Sequence, residues 1–223
     1  MKGIAIDGPA GAGKSTIARM VAEKLEFIYV DTGAMYRAMA LYFIRNGIRD
    51  NDEQAVSDAC SDIRVSIEYQ DGEQQVILNG ENVNSMIRTE EVSMMTSATA
   101  KYPAVRSKLM SLQRELAASQ NVIMDGRDIG TCVLPDADVK IYLTASVEER
   151  ARRRYLEQSG RGVSCNIKDI ERDIAARDEQ DMNREIAPLQ KAEDAVLVDS
   201  SDMNIGQVVD EIIRIYENKM GRE

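Results

Sequence analysis

The chain has 223 residues, of which 43% are hydrophobic, and a formal net charge of −10. This length fits one domain with insertions or two small domains, and the hydrophobic content allows a sizeable core. The acidic balance argues against a surface that binds duplex nucleic acid, because such a surface must be basic. Histidine is absent, which excludes the side chain that most often acts as a general base or metal ligand near neutral pH.

The cysteines and the hydropathy pattern bear on location. Cys60, Cys132 and Cys165 are far apart and form no C-x-x-C pair, so neither a disulfide framework nor a zinc site is expected. No run of 18 apolar residues occurs, so no membrane span is predicted. We therefore expect a cytoplasmic protein that has no membrane or nucleic-acid partner.

Short apolar runs alternate with amphipathic stretches along most of the chain. Such alternation, with strands that are apolar throughout, predicts an α/β fold with a parallel sheet covered on both faces. The predicted elements are strands at 3–7, 27–31, 121–125, 139–143 and 195–199, with the first two helices at 14–25 and 35–47.

Two stretches interrupt this alternation. Residues 64–84 contain the turn signals "DG" at 71–72 and "NG" at 79–80 between alternating segments, which predicts a small antiparallel meander. Residues 146–186 predict a pair of charged helices that is broken near "SGRGVS" at 159–164.

The segment "GPAGAGKS" at 8–15 matches the phosphate-binding pattern G-x-x-x-x-G-K-[ST], and it lies between a predicted strand and a predicted helix. Glycines allow the backbone N–H groups to turn inward toward phosphate oxygens. The pattern predicts that Lys14 reaches the β- and γ-phosphates and that Ser15 offers its hydroxyl to Mg²⁺, with Thr16 as a second hydroxyl. The predicted ATP-binding residues are Gly8, Pro9, Ala10, Gly11, Ala12, Gly13, Lys14, Ser15 and Thr16.

A phosphate loop by itself does not separate kinases, GTPase switches and ATP-driven motors. No N-K-x-D guanine motif is found, which argues against a GTPase. Asp125 ends an apolar strand but is followed by Gly126 and not by the second acidic residue expected of a motor. The small kinases remain as the favoured class.

With these pieces placed, the chain resembles the bacterial cytidylate kinases, a family of nucleoside monophosphate kinases. The resemblance runs from end to end and includes the predicted meander. It is carried by the segments "GPAGAGKST", "DTGAMYR" (31–37), "IRTEEV" (87–92), "PAVR" (103–106), "DGRDIGT" (125–131), "RDEQDMNR" (177–184) and "APLQKAEDAVLVDSS" (187–201).

The resemblance implies transfer of phosphate from Mg·ATP to CMP or dCMP by a monomer with a P-loop NTPase fold. It implies a five-stranded parallel core (about 1–60, 110–148 and 187–223), an acceptor-binding insert (about 61–109) and a helical lid (about 149–186). It further implies that Arg37, Arg127 and Arg184 hold the acceptor phosphate, that Ser97, Arg106 and Asp128 contact cytosine, and that Arg177, Asp181 and Thr32 lie at the pentose.

The residue types suit such a reaction. An acceptor phosphate is already ionised and needs no strong base, whereas arginine binds phosphate bidentately and stays protonated. Arg177, Asp181 and Arg184 are spaced so that they would share one face of a helix, although a solvated, salt-bridged helix gives the same pattern. Arg153 and Arg154 are candidate lid arginines over ATP, and a plain basic surface is the alternative.

Two readings remain open beside CMP phosphorylation. One is a kinase of the same fold that accepts UMP, and the other is a nucleotide-binding switch without transferase turnover. Asp128 is expected to accept a hydrogen bond from the exocyclic amine of cytosine, which uracil lacks. Asp125 is a candidate for orienting the water shell of Mg²⁺.

Overall fold

A computed structural model describes residues 1–70, 72–160 and 162–221. Strands and helices alternate along most of the chain, as the sequence pattern predicts. The strands are β1 (Gly3–Asp7), β2 (Ile28–Asp31), β3 (Val65–Gln70), β4 (Glu73–Leu78), β5 (Glu81–Asn82), β6 (Val122–Gly126), β7 (Val139–Thr144) and β8 (Val196–Asp199). The helices are α1 (Lys14–Leu25), α2 (Thr32–Arg45), α3 (Glu53–Ala59), α4 (Glu90–Thr99), α5 (Pro103–Ser119), α6 (Val147–Gly160), α7 (Ile167–Met182) and α8 (Ile205–Met220).

The main sheet has five strands in the order β2-β6-β1-β7-β8. β1 pairs in parallel with β6 and with β7, and β7 pairs in parallel with β8. The central strands are apolar and buried along their length, because helices cover both faces of such a sheet. The predicted five-stranded parallel sheet is confirmed.

The last strand of this order departs from the expectation of a buried apolar run. Val196 is 38% exposed and Leu197 is 57% exposed. Among the described residues, β8 has one hydrogen-bonded neighbouring strand, β7. An apolar run in the sequence therefore marked the strand correctly but did not indicate that it lies at an edge.

A separate sheet of β3, β4 and β5 is antiparallel, which confirms the predicted meander. In its second turn, Asn79 and Gly80 both have positive φ, the conformation for which Asn-Gly is favoured. In the first turn Gly72 also has positive φ, while Asp71 lies outside the described residues.

Helix α2 begins earlier than its predicted start at residue 35. The Asp31 carboxylate accepts a hydrogen bond from the Ala34 N–H at 2.8 Å and so caps the helix at its N-terminus. Thr32 thus becomes the first residue of α2. The helix ends at Arg45, and Gly47 follows with a φ of 65°.

The chain divides into two compact units, which are described separately below. The first unit is Tyr29–Gln120 together with Met1, and the second unit is Lys2–Ile28 with Asn121–Glu223. Fully buried side chains of the first unit include Met35, Met39, Phe43 and Leu109. In the second unit, Ala151, Ile170 and Ile174 form a core cluster between α6 and α7.

Candidate active site

The phosphate loop of the second unit requires its glycines. Gly8, Gly11 and Gly13 all have positive φ, and a Cβ at Gly8 would lie 1.9 Å from the Leu143 carbonyl oxygen. Only glycine is free of this steric conflict. The loop therefore leads from β1 into the N-terminus of α1 with a backbone that other residues could not adopt.

Lys14 is the first residue of α1 and is buried. Its Nζ donates a hydrogen bond to the Pro9 carbonyl oxygen at 2.7 Å, so the side chain folds back along the loop. Burial, and to a lesser extent the positive charge of the Arg127 guanidinium, lowers the pKa of Lys14 from 10.5 to about 7. The carboxylates of Asp125 and Asp7 oppose this shift.

Ser15, the residue after this lysine, and Asp125 together offer two oxygen atoms that could ligate a metal ion. The Ser15 hydroxyl donates to Asp125 Oδ2 at 2.8 Å. Mg²⁺ prefers oxygen ligands and is usually held by one or two carboxylates or hydroxyls together with substrate phosphates and water. No cluster of three or more metal-ligating His, Cys, Asp or Glu side chains occurs within the described part of the chain.

Three of the residues predicted to bind the acceptor meet in the second unit. Arg127 Nε donates to Asp181 Oδ2 at 2.8 Å, and Arg184 Nη2 lies 3.8 Å from Asp181 Oδ1. Among the described residues, the buried Nη2 of Arg184 has no hydrogen-bond partner. Two cations thus share one carboxylate, and one buried donor remains available, which suits an anionic ligand.

The sequence predicted that Arg177, Asp181 and Arg184 share one helix face, and this prediction is wrong for Arg184. Helix α7 ends at Met182, so Arg184 lies beyond it and donates through Nε to the Asp181 carbonyl oxygen at 3.3 Å. Arg177 is partly buried and Asp181 is buried on α7. The spacing suggested one face because no glycine or proline in the sequence marks the helix end at Met182.

Asp7 holds the segment that carries Asp128. At the end of β1, Asp7 Oδ1 accepts from the Ile129 N–H at 2.8 Å, and Oδ2 accepts from the Gly130 N–H at 2.7 Å. Burial raises the pKa of Asp7 to about 6, although both N–H groups lower it. Asp128, the residue before these donors, is only 6% exposed.

Helices α6 and α7 place several arginines. Arg153 donates to Glu149 and to the Ser200 carbonyl oxygen, at 2.8 and 2.7 Å. A Cβ built on Gly13 would lie 4.0 Å from Arg153 Nη1, so this arginine lies next to the phosphate loop. Arg154 is exposed.

Arg150 links the same two helices to the phosphate loop. It is buried, its Nη1 donates to the Ala10 carbonyl oxygen at 2.8 Å, and its Nη2 lies 2.6 Å from Asp178 Oδ2. Its Nε donates to the Ala145 carbonyl oxygen at 2.9 Å. One buried guanidinium therefore contacts α7, the phosphate loop and the end of β7.

In the first unit, Asp31 gathers two arginines at the start of α2. Its Oδ2 lies 3.3 Å from Arg37 Nη2 and 3.1 Å from Arg88 Nη2. Thr32 is buried beside them at the first position of α2. Farther along this unit, Ser97 is partly buried on α4 and Arg106 is buried on α5.

Comparison with known proteins identifies the family. The cytidylate kinase family model matches residues 4–218. The chain belongs to the cytidylate kinase family. A cytidylate kinase of Geobacillus sp. (strain WCH70) is 46% identical over 218 residues, covering 98% of this chain and 97% of its own, and one of Leuconostoc mesenteroides is 49% identical over 217 residues, covering 97% of each.

The fold of this cytidylate kinase family member also occurs at low sequence identity. A crystal structure of an uncharacterized protein from Eubacterium ventriosum superposes with a TM-score of 0.56 at 12% identity, covering 97% of this chain and 99% of its own. The family model and the two cytidylate kinases compared above confirm the family resemblance predicted from the sequence motifs.

Sequence reasoning missed three charged residues that contact predicted segments of this cytidylate kinase family member, namely Asp7 and Arg150 in the second unit and Arg88 in the first. Asp7 directly precedes the phosphate-loop motif, and Arg88 stands within the segment "IRTEEV", so both were near recognised signals. Arg150 lies among four arginines within 150–154, and nothing in that spacing separates the buried member from the exposed ones. In the described part of the chain, no helix is long and apolar enough to span a membrane.

Proposed function

We propose that the chain transfers the γ-phosphoryl group of Mg·ATP to CMP or dCMP, giving ADP and CDP or dCDP. The observation that carries the proposal is the pair of arginines, Arg127 and Arg184, around the Asp181 carboxylate. The phosphate loop with Lys14 lies in the same unit, so a candidate donor site and candidate acceptor-phosphate arginines occur together there. Family membership supplies the identity of the nucleotide.

The phosphate loop is proposed to bind the donor. Its N–H groups and the N-terminus of α1 would hold the ATP phosphates, and Lys14 would move from the Pro9 carbonyl oxygen to the β- and γ-phosphate oxygens. The exchange is favourable because a phosphate dianion is a far stronger acceptor for an ammonium than a peptide carbonyl. Positioning and charge cancellation are what this reaction requires of a protein.

Ser15 and Asp125 are proposed to hold the magnesium ion, Ser15 directly and Asp125 through water. Their 2.8 Å separation leaves two oxygen donors at one point beside Lys14. When bound with ATP, Mg²⁺ would neutralise charge on the phosphate oxygens.

Arg37, Arg127 and Arg184 are proposed to bind the acceptor phosphate, as the family motifs imply. In each unit a carboxylate already orients these guanidinium groups, Asp181 for Arg127 and Asp31 for Arg37. No general base is needed, because the attacking oxygen belongs to an ionised phosphate. This agrees with a chain that contains no histidine.

The remaining acceptor contacts are proposed from the family motifs. Asp128, Ser97 and Arg106 would contact the cytosine ring, and Arg177, Asp181 and Thr32 would contact the pentose. A buried carboxylate at Asp128 supports recognition of an amine and disfavours the bare carbonyl oxygen of uracil.

Arg153 and Arg154 are proposed to act from the lid, residues 149–186, on the transferred group. Arg153 lies beside Gly13 and would need to release Ser200 to reach ATP, whereas Arg154 is exposed. A lid that assembles its arginines only over bound substrates would limit hydrolysis of ATP by water. We further propose that the protein is a cytoplasmic monomer, as the family motifs imply.

The test is a coupled assay of ADP release with CMP, dCMP, UMP, AMP, GMP and dTMP as acceptors. We expect release with CMP and dCMP and little with the others. A dominant response to UMP would support the rival kinase, and ATP binding without stimulation by any monophosphate would support the switch. Lys14→Ala is the matched control for contaminating kinases, and it should lower turnover by orders of magnitude.

A further inference from the structure

β2 stands at one end of the strand order, so one edge of this strand has no neighbouring strand among the described residues of the sheet. Unpaired main-chain groups at such an edge are a cost unless water or a side chain satisfies them. Here two side chains of the small antiparallel sheet reach them, and these side chains, the small sheet and residues Tyr29 and Asp31 of β2 all belong to the first unit.

Gln74 of β4 makes two hydrogen bonds to one residue of β2. Its Oε1 accepts from the Asp31 N–H at 2.8 Å, and its Nε2 donates to the Asp31 carbonyl oxygen at 3.2 Å. A side-chain amide has one acceptor and two donors, so it can pair with both main-chain groups of a strand residue as a neighbouring strand would.

Tyr69 of β3 completes the contact. It stands directly opposite Gln74 in the antiparallel register, so both side chains project from the same face of the small sheet. The Tyr69 hydroxyl donates to the Tyr29 carbonyl oxygen at 3.0 Å. Because Tyr29 and Asp31 are two residues apart, their main-chain groups point to the same edge of β2.

Burial raises the pKa of Tyr69 to about 12. The hydroxyl therefore remains a donor throughout the physiological pH range, and this contact is insensitive to pH there.

The residue fixed in this way is the one on which the acceptor groups of the first unit depend. The Asp31 side chain caps α2 and pairs with Arg37, and Thr32 follows in the chain. A shift of the Asp31 backbone would therefore displace the Asp31 side chain, Thr32 and Arg37 together. Small displacements of substrate-binding groups have large effects on turnover.

We propose that Gln74 and Tyr69 are positioning residues, which fix the end of β2 so that Thr32 and Arg37 bind the acceptor nucleotide. The inference rests on the proposed phosphorylation of CMP and assigns a role to the small antiparallel sheet in that reaction. Neither side chain is proposed to touch the substrate.

The test compares Gln74→Met, which keeps the length of the side chain without its amide, with Gln75→Met. Gln75 is the next residue of β4, and its side chain bonds within 73–84, to Glu73, Asn82 and Asn84. We expect Gln74→Met to raise the KM for CMP roughly tenfold or more while the KM for ATP stays unchanged. Gln75→Met should leave both within about twofold of the wild type.

Tyr69→Phe removes one hydroxyl with little change in packing, and it should raise the KM for CMP in the same direction by a smaller factor. Thermal unfolding of each variant establishes that it is folded at the assay temperature. A folded Gln74→Met with an unchanged KM for CMP would overturn the proposal, as would an equal rise in the KM for CMP and ATP.

Direct titration of CMP by calorimetry separates this inference from the proposed reaction. If the wild type releases no ADP with CMP, the proposed phosphorylation of CMP is wrong. The positioning role of Gln74 still predicts weaker CMP binding by Gln74→Met than by Gln75→Met. Equal CMP affinities in these two variants would contradict that role in either case.

Discussion

The pKa of Lys14 is lowered in the free protein, and we expect bound ATP to raise it again. Its ammonium is buried beside Arg127, which is why its pKa is about 7, and ATP would supply the negative charge that restores an ordinary value. At pH 8 most of the free protein would therefore carry a neutral lysine. Binding of ATP must then be accompanied by protonation of this group.

We accordingly expect the protein to take up about one proton for each Mg·ATP molecule bound at pH 8. The uptake should fall toward zero well below pH 7, where Lys14 is already protonated. The measurement is calorimetric titration in two buffers of different ionisation enthalpy, whose difference in heat gives the protons transferred. Lys14→Met is the control and should show no uptake. Equal heats in both buffers for the wild type would contradict a depressed pKa at Lys14.

Asp7 is a second buried group whose charge depends on pH. Its pKa is raised to about 6 from an unfolded value of 3.8, so the native state binds this proton more tightly than the unfolded chain does. The stabilisation linked to this proton is complete below the unfolded pKa and is lost as pH rises through about 6.

The cost of Asp7→Asn should therefore shrink as pH rises from about 4 to 6.5, because only the wild type loses this stabilisation. Urea unfolding at several pH values, with wild type and variant compared at each, gives the difference in unfolding free energy. Asp136→Asn, an exposed residue of the same unit, is the control and should change little. A difference for Asp7→Asn that grows with pH would disprove the assignment.

Asp128 is the residue on which acceptor choice is proposed to depend. Replacing it with alanine removes a buried charged acceptor, so we expect the KM for CMP to rise roughly 10- to 100-fold with little change for ATP. Steady-state kinetics with each substrate varied in turn provide the check. An equal loss toward both substrates would place Asp128 on the donor side or in the fold.

Candidate site residues could be predicted from sequence motifs, whereas their hydrogen-bond partners could not. The sequence predicted Arg127, Asp181 and Arg184 as candidates because they stand in recognisable segments, and the structure brings these three together. It gave no sign that Asp7 accepts two N–H groups from residues more than 120 positions away. Hydrogen bonds over such separations depend on strand order, which local patterns do not specify.

At the scale of elements, the pair α6 and α7 is attached to the phosphate loop through Arg150. Its ion pair with Asp178 is buried on both sides, and its other donors bond to main-chain oxygens. Removing one partner of a buried pair leaves the other charge uncompensated.

Arg150→Met should lower the free energy of unfolding by about 3–5 kcal/mol and weaken ATP binding. Arg152→Met, two positions away on the same helix, removes an ion pair of an exposed arginine with Glu149 and should cost far less. Urea unfolding compares the two variants. Similar losses of unfolding free energy in the two variants would show that the ion pair of Arg150 contributes no more to stability than an exposed one.

Element types followed from periodicity, but several boundaries did not. α2 starts at Thr32 because the Asp31 side chain caps it, and α7 stops before Arg184 without a glycine or proline to mark the end. β8 had the apolar composition of a buried strand and lies at an edge. The first boundary depends on one capping side chain, the second has no residue type that marks it, and the exposure of β8 depends on the lack of a second neighbouring strand among the described residues.

For the whole molecule, the proposed substrates act on a chain whose net charge is −10. Both are anions, so affinity must come from arginines and N–H groups gathered locally against the overall charge. The two-substrate reaction then predicts that each ligand stabilises the folded protein by itself.

We expect CMP at 100 times its dissociation constant to stabilise the fold by about 2.7 kcal/mol. Thermal unfolding measures this as a rise in melting temperature, and hydrogen exchange should show protection near Thr32, Arg37 and Asp128. UMP at the same concentration is the control and should give a smaller rise. Equal effects of the two nucleotides would argue against selection of cytosine.

The contact of Gln74 and Tyr69 with β2 has a consequence for self-association. The edge of a parallel sheet with open N–H and carbonyl groups can recruit a strand from another copy of the same chain. Because side chains and not a further strand occupy Asp31 and Tyr29, this edge offers no free ladder for a second copy to extend. Variants that lose both side chains would uncover that edge, so they should form strand-paired oligomers during concentration or refolding, which light scattering would detect.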